Sequence, residues 1–84
     1  MSKEYKQEYI ETKEDIIKAL QEDKTVFEML DDTLICSYNI FANRKDIILQ
    51  MRYNCEIWNT GIMIIDVKDF RTNSNSKYYT LKKE

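Results

Sequence analysis

Residues 47–67 read IILQMRYNCEIWNTGIMIIDV, and this stretch decides the fold. Every second residue from Ile47 to Ile57 is apolar, which predicts a strand with one buried face because successive strand side chains point to opposite sides. A second apolar run follows between Gly61 and Val67. Two such runs around a short polar segment predict an antiparallel hairpin. The apolar face of the first strand comprises Ile47, Leu49, Met51, Tyr53, Cys55 and Ile57.

Gly61 is the only glycine in the chain and marks the expected turn of this hairpin. A three-residue hairpin loop ends in a residue with positive φ, which glycine adopts without a steric penalty. We therefore predict a loop at Asn59, Thr60 and Gly61, and we expect Gly61→Val to destabilise the hairpin. In this register the opposing pairs are Ile57 with Met63, Cys55 with Ile65, and Tyr53 with Val67.

One helix is predicted ahead of the hairpin, beginning after Thr12 and ending near Asp23. The Thr12 side chain is suited to accept the backbone N–H of Asp15, as a residue that caps a helix N-terminus does. An apolar stripe runs along this segment at helical spacing. A helix of about ten residues is unstable alone in water, so it must pack on the sheet. The stripe comprises Ile16, Ile17, Ala19 and Leu20.

Three further strands are predicted from runs of strand-forming residues at 25–30, 33–41 and 77–81. Asp31-Asp32 and the polar segment 43–46 are turn signals. Residues 3–10 fit either a helical turn or a short edge strand, and the sequence leaves both open. The predicted fold class is α+β, with one N-terminal helix packed on an antiparallel β-meander of about five strands, and residues 1–84 form a single domain.

The charge balance argues against a nucleic-acid binder. The 84 residues include 13 basic and 15 acidic side chains, a net charge of −2, whereas nucleic-acid-binding domains carry a basic stripe. The longest unbroken apolar run, 62–65, is far shorter than the roughly 20 residues of a membrane span. The N-terminus lacks the apolar region of a signal peptide. We therefore expect a cytosolic protein with no membrane contact and no direct contact with nucleic acid.

The sequence contains no catalytic motif. The chain has no histidine, which excludes Ser-His and Cys-His nucleophile pairs, and one glycine is too few for a Gly-rich phosphate loop. Cys36 and Cys55 are interpreted as reduced core thiols, because two thiolates alone cannot complete a zinc tetrahedron. We expect no cofactor, no metal site and no enzymatic activity. A carboxylate pair of Glu56 and Asp66 is the alternative that would support acid–base chemistry or a metal.

The second face of the predicted hairpin is the candidate binding site. Trp58 among aliphatic side chains and an arginine has the composition of a protein-binding hot spot. The alternative is that the helix covers this face, or that the strands curl into a sandwich. Another alternative is a platform for stacking nucleobases, formed by Tyr5, Tyr9, Tyr38, Tyr53, Tyr78 and Tyr79. The predicted protein-binding residues are Trp58, Ile62, Ile64, Arg52 and Glu56.

Two segments resemble parts of small phage-encoded anti-defence proteins. Residues 15–26, DIIKALQEDKTV, are similar to the helix that runs into the first strand of these domains, and residues 77–81, KYYTL, resemble their closing strand. The group carries glycine at the position of Asp23. Its best-known members are anti-Thoeris sponges, which sequester a cyclic ADP-ribose signal. The chain also looks like anti-CRISPR inhibitors in its size and its lack of catalytic motifs.

The resemblance implies a non-enzymatic phage or mobile-element inhibitor that binds and blocks a host defence protein, with a CRISPR effector as the first expectation. The alternative that it implies is an oligomeric sponge that sequesters a nucleotide immune signal. It places the protein in the cytoplasm of the host bacterial cell. The expected partner is a host defence protein or effector complex, and a homodimer is a further expectation.

Overall fold

The described chain, residues 5–52 and 60–83 of a computed structural model, folds into one α-helix and an antiparallel sheet of six strands. This confirms the predicted α+β class. The sheet has one strand more than the predicted number of about five. The additional strand is β1, which forms in the segment 3–10 that the sequence allowed to be either a helical turn or an edge strand. The elements in chain order are β1 (Tyr5–Ile10), α1 (Lys13–Gln21), β2 (Val26–Leu30), β3 (Thr33–Ile40), β4 (Asp46–Arg52), β5 (Thr60–Asp66), a 3-10 turn (Val67–Asp69) and β6 (Lys77–Lys83).

The strands lie in the order β1-β6-β2-β3-β4-β5, so β1 and β5 form the two edges. The strands from β2 to β5 are neighbours in chain order and form the predicted meander. β6 departs from the meander, because it crosses back to pair with β2 on one side and with β1 on the other. Strand propensity does not predict where β6 pairs, because the position of β6 depends on which edge of the meander is free once β2 to β5 have formed.

The register of the β4–β5 hairpin differs from the predicted register. Met63 pairs with Leu49 instead of Ile57. Residues 53–59, which include every predicted partner on the first strand, lie outside the described residues. The displacement is an even number of residues, so each strand keeps its predicted face assignment. Apolar alternation does not distinguish registers that differ by an even number, which is why the predicted pairing was wrong.

Gly61 does not form the turn of this hairpin. It lies within β5 opposite Met51, and its φ is not positive. A Cβ atom at this position would meet no other atom within 4 Å. The predicted turn position of Gly61 is therefore wrong, and the strain from positive φ that was expected to destabilise Gly61→Val is absent. Glycine permits a left-handed turn conformation but does not require one.

Residues other than glycine take the left-handed conformations in the described turns. Asp31 (φ 49°) and Asp32 (φ 63°) form the two-residue loop between β2 and β3, a type I′ turn that confirms the predicted turn. Between β3 and β4, Arg44 has φ 64°, and the Asn43 Oδ1 accepts the backbone N–H of Lys45 at 2.9 Å. The polar turn predicted at 43–46 is therefore confirmed.

The helix packs on one side of the sheet, which we name the covered face. Its N-terminus is capped as predicted, because the Thr12 hydroxyl accepts the Asp15 backbone N–H at 3.1 Å. The predicted apolar stripe points to the sheet, with Ile17 half-buried and the other three residues buried. The buried core comprises Ile16, Ala19, Leu20, Val26, Cys36, Tyr38, Ile47, Phe70 and Tyr78.

The helix ends in a Schellman motif, and the side chain of Asp23 within this motif joins α1 to the turn between β3 and β4. The Asp23 N–H donates to the Leu20 carbonyl at 2.9 Å, and the Lys24 N–H donates to the Ala19 carbonyl at 3.1 Å. Asp23 has φ 66°, a conformation that favours glycine. The Asp23 carboxylate accepts two N–H groups of the Arg44 guanidinium at 2.6 and 3.0 Å. These hydrogen bonds lower the pKa of the Asp23 carboxyl group.

Candidate protein-interaction surface

The side of the sheet opposite α1, which we name the open face, carries a row of side chains across all six described strands. The strand pairings place in this row Tyr9, Tyr79, Phe27, Ser37, Gln50 and Ile62. The Tyr79 ring is stacked on Phe27 with centroids 5.3 Å apart, and it meets Tyr9 edge-on at 5.7 Å. Tyr79 is therefore buried while Tyr9 stays exposed. Among the described elements, α1 packs only on the covered face.

The edge strand β5 exposes three consecutive large apolar side chains. The exposed fractions are 65% for Ile62, 53% for Met63 and 58% for Ile64. Ile62 and Ile64 belong to the open face, and Ile64 pairs with the half-buried Ile48 on β4. Exposed apolar patches mark sites where a protein contacts another protein, a membrane or a ligand.

The backbone of β5 also presents hydrogen-bonding groups at this edge. The Val67 N–H donates to the Lys45 carbonyl at 2.8 Å, so positions 45 and 67 form a hydrogen-bonded pair. In an antiparallel ladder such pairs alternate with pairs whose backbone groups point to the other side. The odd-numbered residues of β5 therefore bond toward β4, whereas the N–H and C=O groups of Ile62 and Ile64 face the free edge.

The structure brings together part of the predicted protein-binding set. Ile62 and Ile64 lie side by side on the open face of β5. Arg52 is the last residue of β4 and pairs with Thr60, whereas Trp58 and Glu56 lie outside the described residues. The alternative that the helix covers these isoleucines is wrong, since α1 packs on the other face.

Several exposed apolar residues of the surface were not predicted as binding residues. Tyr5 and Tyr9 on β1 and Leu81 on β6 extend the open face at the opposite edge of the sheet. Their common face follows from the pairing of β1 with β6, which links the two ends of the chain. Strand alternation within each segment was the only available signal, and it does not show that the two segments are neighbours.

The tyrosines do not form the alternative base-stacking platform. Tyr38 and Tyr78 are buried in the core on the covered face, and Tyr79 is buried between two aromatic rings. Only Tyr5 and Tyr9 are exposed among the described tyrosines. Tyr53 lies outside the described residues. Burial of three rings excludes them from stacking on a base.

A buried carboxylate lies on the covered face at the centre of the sheet. Glu28 is only 5% exposed. The Tyr38 hydroxyl donates to its Oε1 at 2.6 Å, and the Ser76 hydroxyl donates to its Oε2 at 2.6 Å. Both oxygens of this carboxylate are therefore engaged within the protein, as burial of a charged group requires. The Ser76 contact fixes the segment that precedes β6 to β2.

The groups around Glu28 stay protonated at neutral pH. Burial raises the pKa of the Cys36 thiol to about 11 and the pKa of Tyr78 to about 12. Burial and the hydrogen bond to Glu28 raise the pKa of Tyr38. The prediction that Cys36 is a core thiol is confirmed, and this thiol is not activated as a nucleophile. The sequence signal for the cluster is a single charged residue inside the apolar run 25–30.

Asp66, one member of the predicted carboxylate pair, has a structural contact. Its Oδ1 accepts the Lys68 N–H at 2.8 Å and caps the 3-10 turn that follows β5. Its predicted partner Glu56 is not among the described residues. Within residues 5–52 and 60–83, no group of three or more Cys, Asp and Glu side chains is placed to hold a metal ion.

A cleft of about 680 Å³ opens between β1, α1 and the segment before β6. Its volume falls within the range of roughly 300–1,000 Å³ that is typical of ligand pockets. Among the described residues that line it, Lys77 is the only basic one and Glu11 is the only acidic one. One lysine supplies little positive charge for a nucleotide phosphate.

Comparisons of the chain with protein-family models, curated proteins and solved structures found no match. In the described residues no helix has the length and apolar character needed to cross a membrane. The open face and the exposed edge of β5 are the features of the described residues that point to a function.

Proposed function

We propose that this protein is a non-enzymatic inhibitor of phage or mobile-element origin that binds a host defence protein and blocks it sterically. The observation that carries the proposal is the run of exposed apolar residues from Ile62 to Ile64 at the edge of an open sheet face. The first target class is a CRISPR effector complex. This target class is supported by the resemblance to anti-CRISPR inhibitors in size and in the lack of catalytic motifs, and the resemblance of residues 15–26 and 77–81 to phage anti-defence domains supports the phage origin.

The binding surface has the parts that protein interfaces require. Ile62 and Ile64 supply an apolar patch at the β5 edge, and Tyr9 exposes an amphipathic aromatic side chain on the same face at the opposite edge. Tyrosine and large apolar side chains surrounded by polar groups are typical of interface centres. Among the described elements, α1 packs on the covered face, so Ile62 and Ile64 stay exposed on the other side of the sheet.

A direct test is co-elution of the purified protein with effector complexes, paired with an assay of target-DNA cleavage. Ile62→Lys is expected to weaken binding at least about 30-fold, which corresponds to the roughly 2 kcal/mol of a hot-spot residue. Gln21→Lys, which adds the same charge on the exposed side of α1, is the matched control and should leave binding unchanged. Equal binding by both variants, or no effector bound by the wild type, would overturn the proposal.

The second candidate is an oligomeric sponge for a nucleotide immune signal, and the cleft beside β1 is the observation that favours it. Mass spectrometry of small molecules released from heat-denatured protein tests this function. The protein must come from cells that produce the signal. An empty protein from such cells would eliminate the sponge, whereas a stoichiometric nucleotide would replace the inhibitor proposal.

A further inference from the structure

We propose that β5 pairs antiparallel with β5 of a second copy of this chain, about a two-fold axis at Met63, and so joins two sheets into one. A contact in which both copies use the same surface closes on itself and gives a dimer. This inference rests on the geometry of the edge strand and does not depend on the identity of any host target.

The two edges of the sheet differ in their protection against pairing. Natural edge strands avoid association through charged side chains, proline or bulges. The β1 edge carries Lys6 and Glu8, both exposed. The β5 edge has no charged residue before Asp66 and exposes large apolar side chains at three consecutive positions. β5 is therefore the edge that is open to another strand.

The backbone geometry and the sequence of β5 fix one register. The N–H and C=O groups of Ile62 and Ile64 face the free edge, as the hydrogen bond between positions 67 and 45 shows. An axis at Met63 sets Ile62 opposite Ile64 of the second copy, and each such pair exchanges two backbone hydrogen bonds. Asp66 then lies opposite the neutral position 60 and not opposite another carboxylate.

The neighbouring registers fit less well. An axis at Ile64 would set the Asp66 carboxylate opposite Ile62, and an axis at Ile62 would leave Asp66 opposite a position outside β5. The axis at Met63 pairs the whole of Thr60–Asp66 with itself. It also places the Ile62 and Ile64 side chains of both copies together on the open face, because directly opposed residues share a face.

The expected dimer is of modest strength. A contact made by one edge strand of each copy is small and belongs with the interfaces below about 1,200 Å² that are typical of weak association. We therefore expect a dissociation constant on the order of 10 µM. The dimer would present one continuous open face with four isoleucines at its centre.

Proline variants measured by sedimentation equilibrium test the pairing. Ile64→Pro removes an N–H that faces the free edge, so the monomer keeps its fold while the dissociation constant rises at least tenfold. Ile64→Thr keeps this N–H and should dimerise more tightly than Ile64→Pro. Met63→Pro removes an N–H that bonds to β4 and should unfold the monomer. Loss of the folded circular dichroism spectrum in Met63→Pro, but not in Ile64→Pro, would support the assigned direction of the backbone groups.

A cysteine cross-link tests the position of the axis. In a Cys55→Ser background, Met63→Cys should form an intermolecular disulfide on mild oxidation, because directly opposed residues in a non-hydrogen-bonded pair have adjacent Cβ atoms. Ile65→Cys, which lies opposite Gly61 of the second copy, is the control and should not cross-link. A wild type that stays monomeric well above the expected dissociation constant, or a folded Ile64→Pro that dimerises as well as Ile64→Thr, would overturn the proposal.

Discussion

Replacing Tyr38 by phenylalanine deletes one oxygen atom from the centre of the covered face. The Tyr38 hydroxyl donates to the buried Glu28 carboxylate at 2.6 Å, and the change removes this donor while the Ser76 hydroxyl still donates to Glu28 at 2.6 Å. A hydrogen bond to a charged group contributes about 1.5–3 kcal/mol, and a buried acceptor left without its donor keeps its desolvation cost. We expect Tyr38→Phe to lower the free energy of unfolding by about 2 kcal/mol.

Urea and thermal unfolding followed by circular dichroism measure this loss. For a domain of this size, about 2 kcal/mol corresponds to a decrease in Tm of roughly 10 °C. Tyr9→Phe is the matched control, because it removes the same oxygen from an exposed hydrogen bond to Gln7 at 2.8 Å. Its cost should stay below about 0.5 kcal/mol.

A double-mutant cycle separates the hydrogen bond from general packing. Glu28→Leu leaves the buried Tyr38 hydroxyl without its acceptor, whereas Tyr38→Phe with Glu28→Leu removes both partners. The double variant should therefore lose less than the sum of the single losses, with a coupling energy of about 1–2 kcal/mol. Equal costs for Tyr38→Phe and Tyr9→Phe, or strictly additive losses in the cycle, would refute the buried network.

Three further results are expected. Gly61→Ala should raise the free energy of unfolding by about 0.5 kcal/mol in urea titrations, because the strand conformation is ordinary and the added Cβ meets no atom within 4 Å. A lower free energy of unfolding would contradict the position of Gly61 within β5. Asp32→Gly should raise Tm, since φ is 63° at the second position of a type I′ turn, where glycine is preferred; an unchanged or lower Tm would contradict this. Stability should fall as pH rises from about 9 toward 12, because the native state retains protons on Cys36 (pKa about 11) and Tyr78 (pKa about 12) that the unfolded chain releases. Urea midpoints at pH 7, 9.5 and 11 would check this, and a constant midpoint would contradict it.

The candidate surface was only partly predictable from sequence. Ile62 and Ile64 follow from alternation within one strand, and their membership of the second hairpin face survives the change of register. The exposure of these residues could not be predicted in the same way. Both faces of the hairpin are apolar, so the helix could have packed on either of them. Only the packing of Ile16 and Leu20 onto the covered face decided which side stayed open.

The sequence by itself determined the local features of this protein: the Thr12 cap, the apolar stripe of α1, the Asp31-Asp32 turn and the α+β class. These features depend on residues within one turn of helix or a few strand positions, so spacing is enough to predict them. The tertiary structure decided the hairpin register, the place of β6 between β1 and β2, and the burial of Glu28. Each of these joins segments distant in the chain, and their competing arrangements differ in packing and hydrogen bonding that alternation alone does not encode.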